Sequence, residues 1–260
     1  MSIIALLTDF GTRDWFVGSM KGVILGINPA VSVVDITHAV SQGNIRASAL
    51  ALMASYRCFP KKTIFTVVVD PGVGSSRRAI VADTGFYCFV APDNGVLSFV
   101  LREQNKPVVY AIENDTYFRK SVSTTFHGRD IFAPVAAYLS TGISPVTVGP
   151  EVKKWITISW PELLIAENDV TGVVIYIDHF GNAFTNITSE SIKHLLKPTC
   201  YIPGEPTKEL PIVHFYEEVP DGEACALINS AGYLEIAVNN GNAAEQYALA
   251  IESTVRIHCR

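Results

Sequence analysis

The sequence predicts an α/β N-terminal domain over residues 1–150, with a mostly parallel sheet and helices on both faces. A smaller all-β, barrel-like C-terminal domain is expected over residues 171–260. Three observations lead there. In the first 150 residues, short β-branched runs alternate with segments whose apolar residues recur three and four apart. From Thr171 onward, short apolar runs are separated by turns and little helix is visible, the pattern of an antiparallel barrel or sandwich. Between them, Trp155 to Val170 carries two Trp, a Pro and no clean period, so residues 151–170 read as a linker laid over the surface.

Element by element, Ile3 to Leu7 is a buried strand delivering Thr8-Asp9-Phe10-Gly11 to its end. A helix follows, with Phe16, Val17, Met20, Val23, Ile24 and Ile27 on one face, stopped by Asn28-Pro29. Val31 to Ile36 is the next strand. Asn44 caps a helix carrying Ile45, Leu52, Met53 and Tyr56. Thr63 to Val69 is a continuous apolar run closed by turn formers, a fully buried strand that ends at Asp70. Ala79–Ala82 and Tyr87–Val90 form a pair around Asp83-Thr84-Gly85. Asn94 or Gly95 opens a short helix through Phe99, and Val108 to Ile112 is a strand. Ile131, Phe132, Val135, Ala136 and Leu139 mark a further helix. In the second half the expected strands are Val173–Ile177, Cys200–Ile202, Ala224–Ile228, Leu234–Val238 and Ala248–Ile257, with one helix over Ser189–Leu196.

Composition narrows the function. Of 260 residues 48% are hydrophobic and 17% charged, which supports a sizeable core and excludes disorder. A formal charge of -5, with no Lys/Arg run longer than two, argues against nucleic acid and against a membrane surface. Five scattered cysteines without a C-x-x-C pair fit reduced thiols and a cytoplasmic location. The N-terminus lacks a basic leader region and reads as a first strand.

The stretch from Asp70 to Arg78 is where chemistry concentrates. Asp70 sits at the end of a buried strand, the edge where open α/β sheets place ligands. Pro71 and Gly72 then force a loop whose backbone can approach a bound molecule, with Arg77 seven residues on. A turn-capping Asp paired with an Arg accounts for the same residues without a ligand. Gly72-Val73-Gly74 is no phosphate cradle, because it runs into a strand rather than a helix. Asp9 suits a ribose diol, or an Asx-turn. His127 precedes a helix in a loop with Arg129 and Asp130, where by itself a helix cap or a satisfied loop residue is the plainer account. Asp178 to Asn186 offers Asp, Asn and two Phe, a floor for a heterocycle beside a cation or a plain polar loop. Asn229-Ser230-Ala231-Gly232-Tyr233 is a turn whose donors suit a carboxylate, or a hairpin. Metal-ligand spacing and nucleophile motifs are both missing.

Taken in order, Thr8-Asp9-Phe10-Gly11, Asp70-Pro71-Gly72-Val73-Gly74, Phe126-His127-Gly128-Arg129-Asp130, Asp178-His179-Phe180-Gly181-Asn182 and Asn229-Ser230-Ala231-Gly232-Tyr233 span nearly the whole chain. This set resembles the S-adenosylmethionine (SAM) hydrolases, or SAM hydroxide adenosyltransferases, relatives of the bacterial fluorinase and chlorinase. The resemblance implies an α/β domain followed by a β domain, and a homotrimer with active sites between the N-domain of one subunit and the C-domain of its neighbour. It implies that Asp70, Arg77 and His127 handle the attacking water, and that Asp9 binds the ribose. Asp178 would hold the methionine amino group; Phe180, Asn182 and Phe215 the adenine; Ser230 the methionine carboxylate. SAM is then the substrate, with neither cofactor nor metal. The fluorinase has Tyr at the position of Asp70, Ser at Gly128 and Arg at Ala231. An anionic Asp70 repels a halide by about 1 to 4 kcal/mol near contact, which favours hydrolysis. Whether Arg77 or Arg78 faces the site stays open here, as do halide adenosyl transfer and nucleoside binding without turnover.

Overall fold

The computed structural model describes residues 2–202 and 209–259. The chain divides into two compact units, Met1–Ser159 and Trp160–Arg260.

In the first unit β1 (Ile3–Thr8), α1 (Phe16–Ile27), β2 (Ser32–Thr37), α2 (Ile45–Ser55) and β3 (Ile64–Val68) alternate as the periodicity requires. Asn44 caps α2, its side chain accepting from Ala47 N at 2.9 Å. Then come β4 (Ala79–Asp83), β5 (Cys88–Pro92), α3 (Ser98–Arg102), β6 (Val108–Ala111) and α4 (Ala133–Ser140). The sheet order is β2-β1-β3-β5-β4-β6. The pairings β1–β2, β1–β3 and β3–β5 are parallel, whereas β4 runs antiparallel to both β5 and β6. The sheet is therefore mixed. Its antiparallel half follows from chain length, since four residues separate β4 from β5 and a parallel crossover needs a dozen or more.

Alternation along the strands splits the core in two. Ile4, Leu6, Ile64 and Val68 pack with Met20 and Ile24 of α1 and with α4. Ala5, Leu7, Phe65 and Val67 turn the other way, onto Leu52 of α2 and Val100 and Leu101 of α3. Helices thus cover both faces. The helix expected to open at Asn94 or Gly95 begins only at Ser98. Asn94 is occupied elsewhere, donating Nδ2 to Val69 O at 2.9 Å and accepting from Val96 N.

The second unit comprises β7 (Leu164–Ile165), β8 (Asp169–Ile177), β9 (Ala183–Thr188), α5 (Ser189–Ile192), β10 (Pro198–Tyr201), β11 (Glu209–Leu210), β12 (Ile212–Val213), β13 (Ala224–Ile228), β14 (Tyr233–Val238), α6 (Ala243–Gln246) and β15 (Thr254–Cys259). The strand order is β11-β10-β15-β8-β9-β14-β13-β12, with β7 added against β8. All pairings are antiparallel except β12–β13. The ends of the path approach each other, β10 near β12 and β11 near β13, so the sheet is nearly closed around one core.

Three expectations fail locally. β9 falls in a stretch read as loop, because buried Asn186 interrupts its apolar pattern. That side chain instead accepts from Val173 N at 2.7 Å and donates to Pro161 O at 3.0 Å. The strand expected from Ala248 starts only at Thr254, after a turn in which Ala248 and Glu252 take positive φ. The helix expected over Ser189–Leu196 ends at Ile192 despite its capping box from Thr188 and Ser191.

Candidate active site

Asp70 lies two residues beyond β3, and its loop folds back through Val73 N donating to Asp70 O at 3.2 Å and Ser75 N to Gly72 O at 3.1 Å. That turn brings Arg77 onto the carboxylate. Arg77 Nε donates to Asp70 Oδ1 and Oδ2 at 3.0 and 2.9 Å, and Nη2 donates to Oδ2 at 2.5 Å. The side chains are only 4% (Asp70) and 11% (Arg77) exposed, so two charges are held almost out of water by each other. Arg78 goes elsewhere, to Asp93 at 2.5 Å and Lys154 O at 2.8 Å. Of the two arginines, Arg77 is the one that meets Asp70.

The same Nη2 sits 2.7 Å from His127 Nδ1. A guanidinium only donates, so Nδ1 accepts and the neutral imidazole carries its proton on Nε2. Burial pushes the His127 pKa below its ordinary value and the Arg77 charge adds to that, against smaller opposing effects of Asp70 and Asp130. His127 is thereby kept as a neutral ring with one free N–H.

Two features seat this loop pair. Gly74 has φ +78, and a Cβ there would lie 2.3 Å from Thr124 O, so only glycine lets the Asp70 loop touch the strip leading to His127. Asp130 is fully buried in a π-helical turn, Gly128–Phe132, that precedes α4. It accepts from Ser123 N at 2.9 Å, Arg129 Nε at 2.7 Å and Arg119 Nη1 at 3.2 Å. Those bonds tie the Ser123–Phe126 strip down.

Asp9 follows β1, and its Oδ2 accepts from Gly43 N at 2.8 Å, leaving Oδ1 for a ligand. Behind it His38 Nδ1 meets Thr8 Oγ1 at 2.8 Å, His38 O takes Gly11 N at 2.7 Å, and Asp35 lies 3.0 Å from His38 Nε2. A cavity of about 480 Å³ has Asp9, Phe10, Gly43, Asp70, His127 and Gly128 in its walls. Gly128 is tight there: a Cβ would stand 3.3 Å from the Phe10 ring and Met20 Sδ.

In the second unit Asp178 ends just past β8, where Oδ1 accepts from Phe180 N and Asn182 N, both at 2.9 Å. Asn182 is buried and donates Nδ2 to Asp178 Oδ2 at 3.2 Å. Phe180 and Phe215, by contrast, are 71% and 56% exposed. Ser230 is exposed in a half-buried turn held by Asn229 Oδ1, which accepts from Ala231 N at 3.0 Å and Tyr233 N at 3.2 Å. Sequence reasoning passed over three buried acids: Asp93, which holds Arg78, Asp130 and Glu235. Asp130 lay in plain view inside a motif but gave no sign of its network. Glu235, the polar residue within the expected strand Leu234–Val238, is 2% exposed. Among the described residues, no group of three or more His, Cys, Asp or Glu is placed to hold a metal.

Against known proteins, a family model described as the SAM hydroxide adenosyltransferase N-terminal domain matches residues 4–149, and one for the C-terminal domain of the same name matches residues 172–256. The chain belongs to the SAM hydroxide adenosyltransferase family. A relative from Thermus thermophilus, named (R)-S-adenosyl-L-methionine hydrolase, is 34% identical over 99% of this chain and 100% of its own. A family relative named fluorinase, from Nocardia brasiliensis, is 28% identical over 98% of this chain and 96% of its own. The crystal structure of an uncharacterized conserved protein from Thermotoga maritima shares 38% identity at a TM-score of 0.93, covering 99% of this chain and 100% of that one.

Proposed function

We propose that this protein hydrolyses S-adenosyl-L-methionine to adenosine and L-methionine. The observation that carries the reading is the Asp70–Arg77–His127 cluster, an almost fully buried carboxylate with fixed partners in the wall of the cavity that also holds Asp9. Asp70 accepts a hydrogen bond from the attacking water and takes its proton, while the oxygen attacks C5′ in line with the sulfonium. The new C5′–O bond forms as the C5′–S bond breaks, and the electron pair stays on sulfur, so methionine leaves as a neutral thioether. No general acid is needed.

Arg77 holds Asp70 in place and keeps it charged. His127, its Nδ1 occupied, offers Nε2–H to the water oxygen and stabilises the developing hydroxide. Asp9 takes the ribose hydroxyls through its free oxygen. At the other end of the substrate, Asp178 binds the ammonium, Phe180 and Phe215 stack on adenine with Asn182 beside them, and Ser230 meets the carboxylate. Asn182 acts chiefly by holding Asp178, given its buried bond to that carboxylate.

SAM itself carries the reactive bond, so the scheme calls for no cofactor. Assembly as a homotrimer with substrate sites at the subunit interfaces, a division into residues 1–150, 151–170 and 171–260, and a cytoplasmic location complete the proposal. The five free cysteines support that location, and among the described residues no helix is long and apolar enough to cross a membrane. The test is purified protein incubated with SAM, alone and with chloride or fluoride, followed by chromatography. Adenosine and methionine in equal amounts are expected. A 5′-halo-adenosine product, or tight adenosine binding with no turnover, would replace the proposal.

A further inference from the structure

The second unit holds a buried carboxylate that the hydrolytic scheme leaves unused. Glu235 lies on β14 opposite Phe184 of β9 and Leu227 of β13, on the face that carries Cys225 and Ala237 rather than in the barrel core. Tyr216 Oη donates to its Oε1 at 2.8 Å. The Asn229 side chain approaches the same carboxylate, and the Asp178 charge acts on both Glu235 and Tyr216. The Phe215–Tyr216 segment and the Asn229–Tyr233 turn with Ser230 therefore meet at one acid, and the register, Tyr176 opposite Phe184 and Phe184 opposite Glu235, brings the turn after β8 with Asp178 to the same side of the sheet.

We infer that Glu235 is a positioning residue for the cationic end of the substrate, supplying a second, fixed negative charge behind Asp178 and tying together the loops that receive the amino acid. This rests on the assignment of Asp178 to the ammonium. An acid of this size left 2% exposed is costly unless its charge is used. A strand-face Glu with only a structural duty would be served as well by Gln, which keeps an acceptor for Tyr216. The neighbours that face it are Tyr216, Asn229, Asp178 and Cys225, with Glu218 acting on Cys225, and none of them is a cation. Burial pushes the Glu235 carboxyl above its ordinary pKa, the bond from Tyr216 and the nearby Asn229 amide pull it back, and Asp178 adds to the rise. A bound ammonium at Asp178 would offset that added negative charge, whereas adenosine, which has none, would not.

The experiment compares Glu235→Gln with the native enzyme, using SAM, methionine and adenosine as probes. Glu235→Gln is expected to raise KM for SAM and the inhibition constant of methionine about tenfold, with kcat at saturation and the affinity for adenosine each within about twofold. An unchanged KM for SAM overturns the inference, as does an equal loss for SAM and adenosine. If Glu235→Gln fails to fold, Tyr216→Phe makes the same decision: weaker SAM with unchanged adenosine supports it, and no change in SAM rejects it. Asp178→Asn separates the underlying assignment, because an unchanged KM there removes the ammonium from Asp178 whatever Glu235 does.

Discussion

The two units hold their functional side chains in opposite ways. In the first, Asp70 and Arg77 are almost fully buried and bound to each other and to His127, so the groups we assign to the chemistry are held in place by the fold itself. In the second, the polar groups are tied down but Phe180 and Phe215 stand 71% and 56% exposed, as large apolar surfaces. Catalytic groups gain from rigidity because orientation removes entropy from the barrier. A stacking surface gains from being open, because burying it on binding is what contributes affinity. The contrast predicts that damage to the first unit shows in kcat and damage to the second in KM.

The largest effect should come from Asp70. Asp70→Ala, or Asp70→Asn where the shape must be kept beside Arg77, should lower kcat by about 10²- to 10⁴-fold with adenosine affinity little changed. Loss of binding with unaltered chemistry would reverse the division between the units. Next, Phe215→Ala and Phe180→Ala should raise KM by roughly 5- to 150-fold, the range for loss of one base-stacking aromatic, with kcat and melting temperature nearly constant. A fall in kcat alone would assign these rings to the chemistry.

A matched pair of glycines sharpens the comparison further. Gly74 and Gly232 both have positive φ, but a Cβ at 74 strikes Thr124 O whereas one at 232 meets nothing within 4 Å. Gly232→Ala should cost about 1–2 kcal/mol of stability, the strain of the left-handed region alone. Gly74→Ala should cost more and also lower kcat, since it pushes the Asp70 loop away from the His127 strip. Equal costs by thermal melting, with kcat intact, would mean that the loop contact is unimportant.

The smallest effect is in pH. His127 must be neutral to accept from Arg77, and its pKa is held below the ordinary 6.5. The unfolded chain therefore binds more protons than the folded one between the lowered pKa and 6.5, so stability rises with pH across that window and the penalty is complete below it. The acid limb of kcat/KM should accordingly have its midpoint below 6.5, and a midpoint above 6.5 would contradict the tautomer assigned here.

Much of this arrangement was legible in the residues. Both core faces of β1 and β3 follow from their apolar runs, and the cap at Asn44 from its residue type. His127, 50 residues beyond Arg77 in the chain, does meet the Asp70–Arg77 pair. What stayed hidden depends on long-range partners. Arg77 and Arg78 are adjacent and chemically identical, and only Asp93 and Lys154 O draw the second away. The direction of β4 depends on the short turn before β5, while β9 was masked because the polar residue within it is satisfied by Val173 and Pro161. The burial of Glu235 stayed hidden because its partner, Tyr216, comes from a separate segment of the chain.

The central claim is that Asp70 presents water to C5′. Turnover of SAM in H₂¹⁸O measures this directly by mass spectrometry of the products. The account predicts one ¹⁸O atom at the 5′ position of adenosine and none in methionine; adenosine free of label would contradict it.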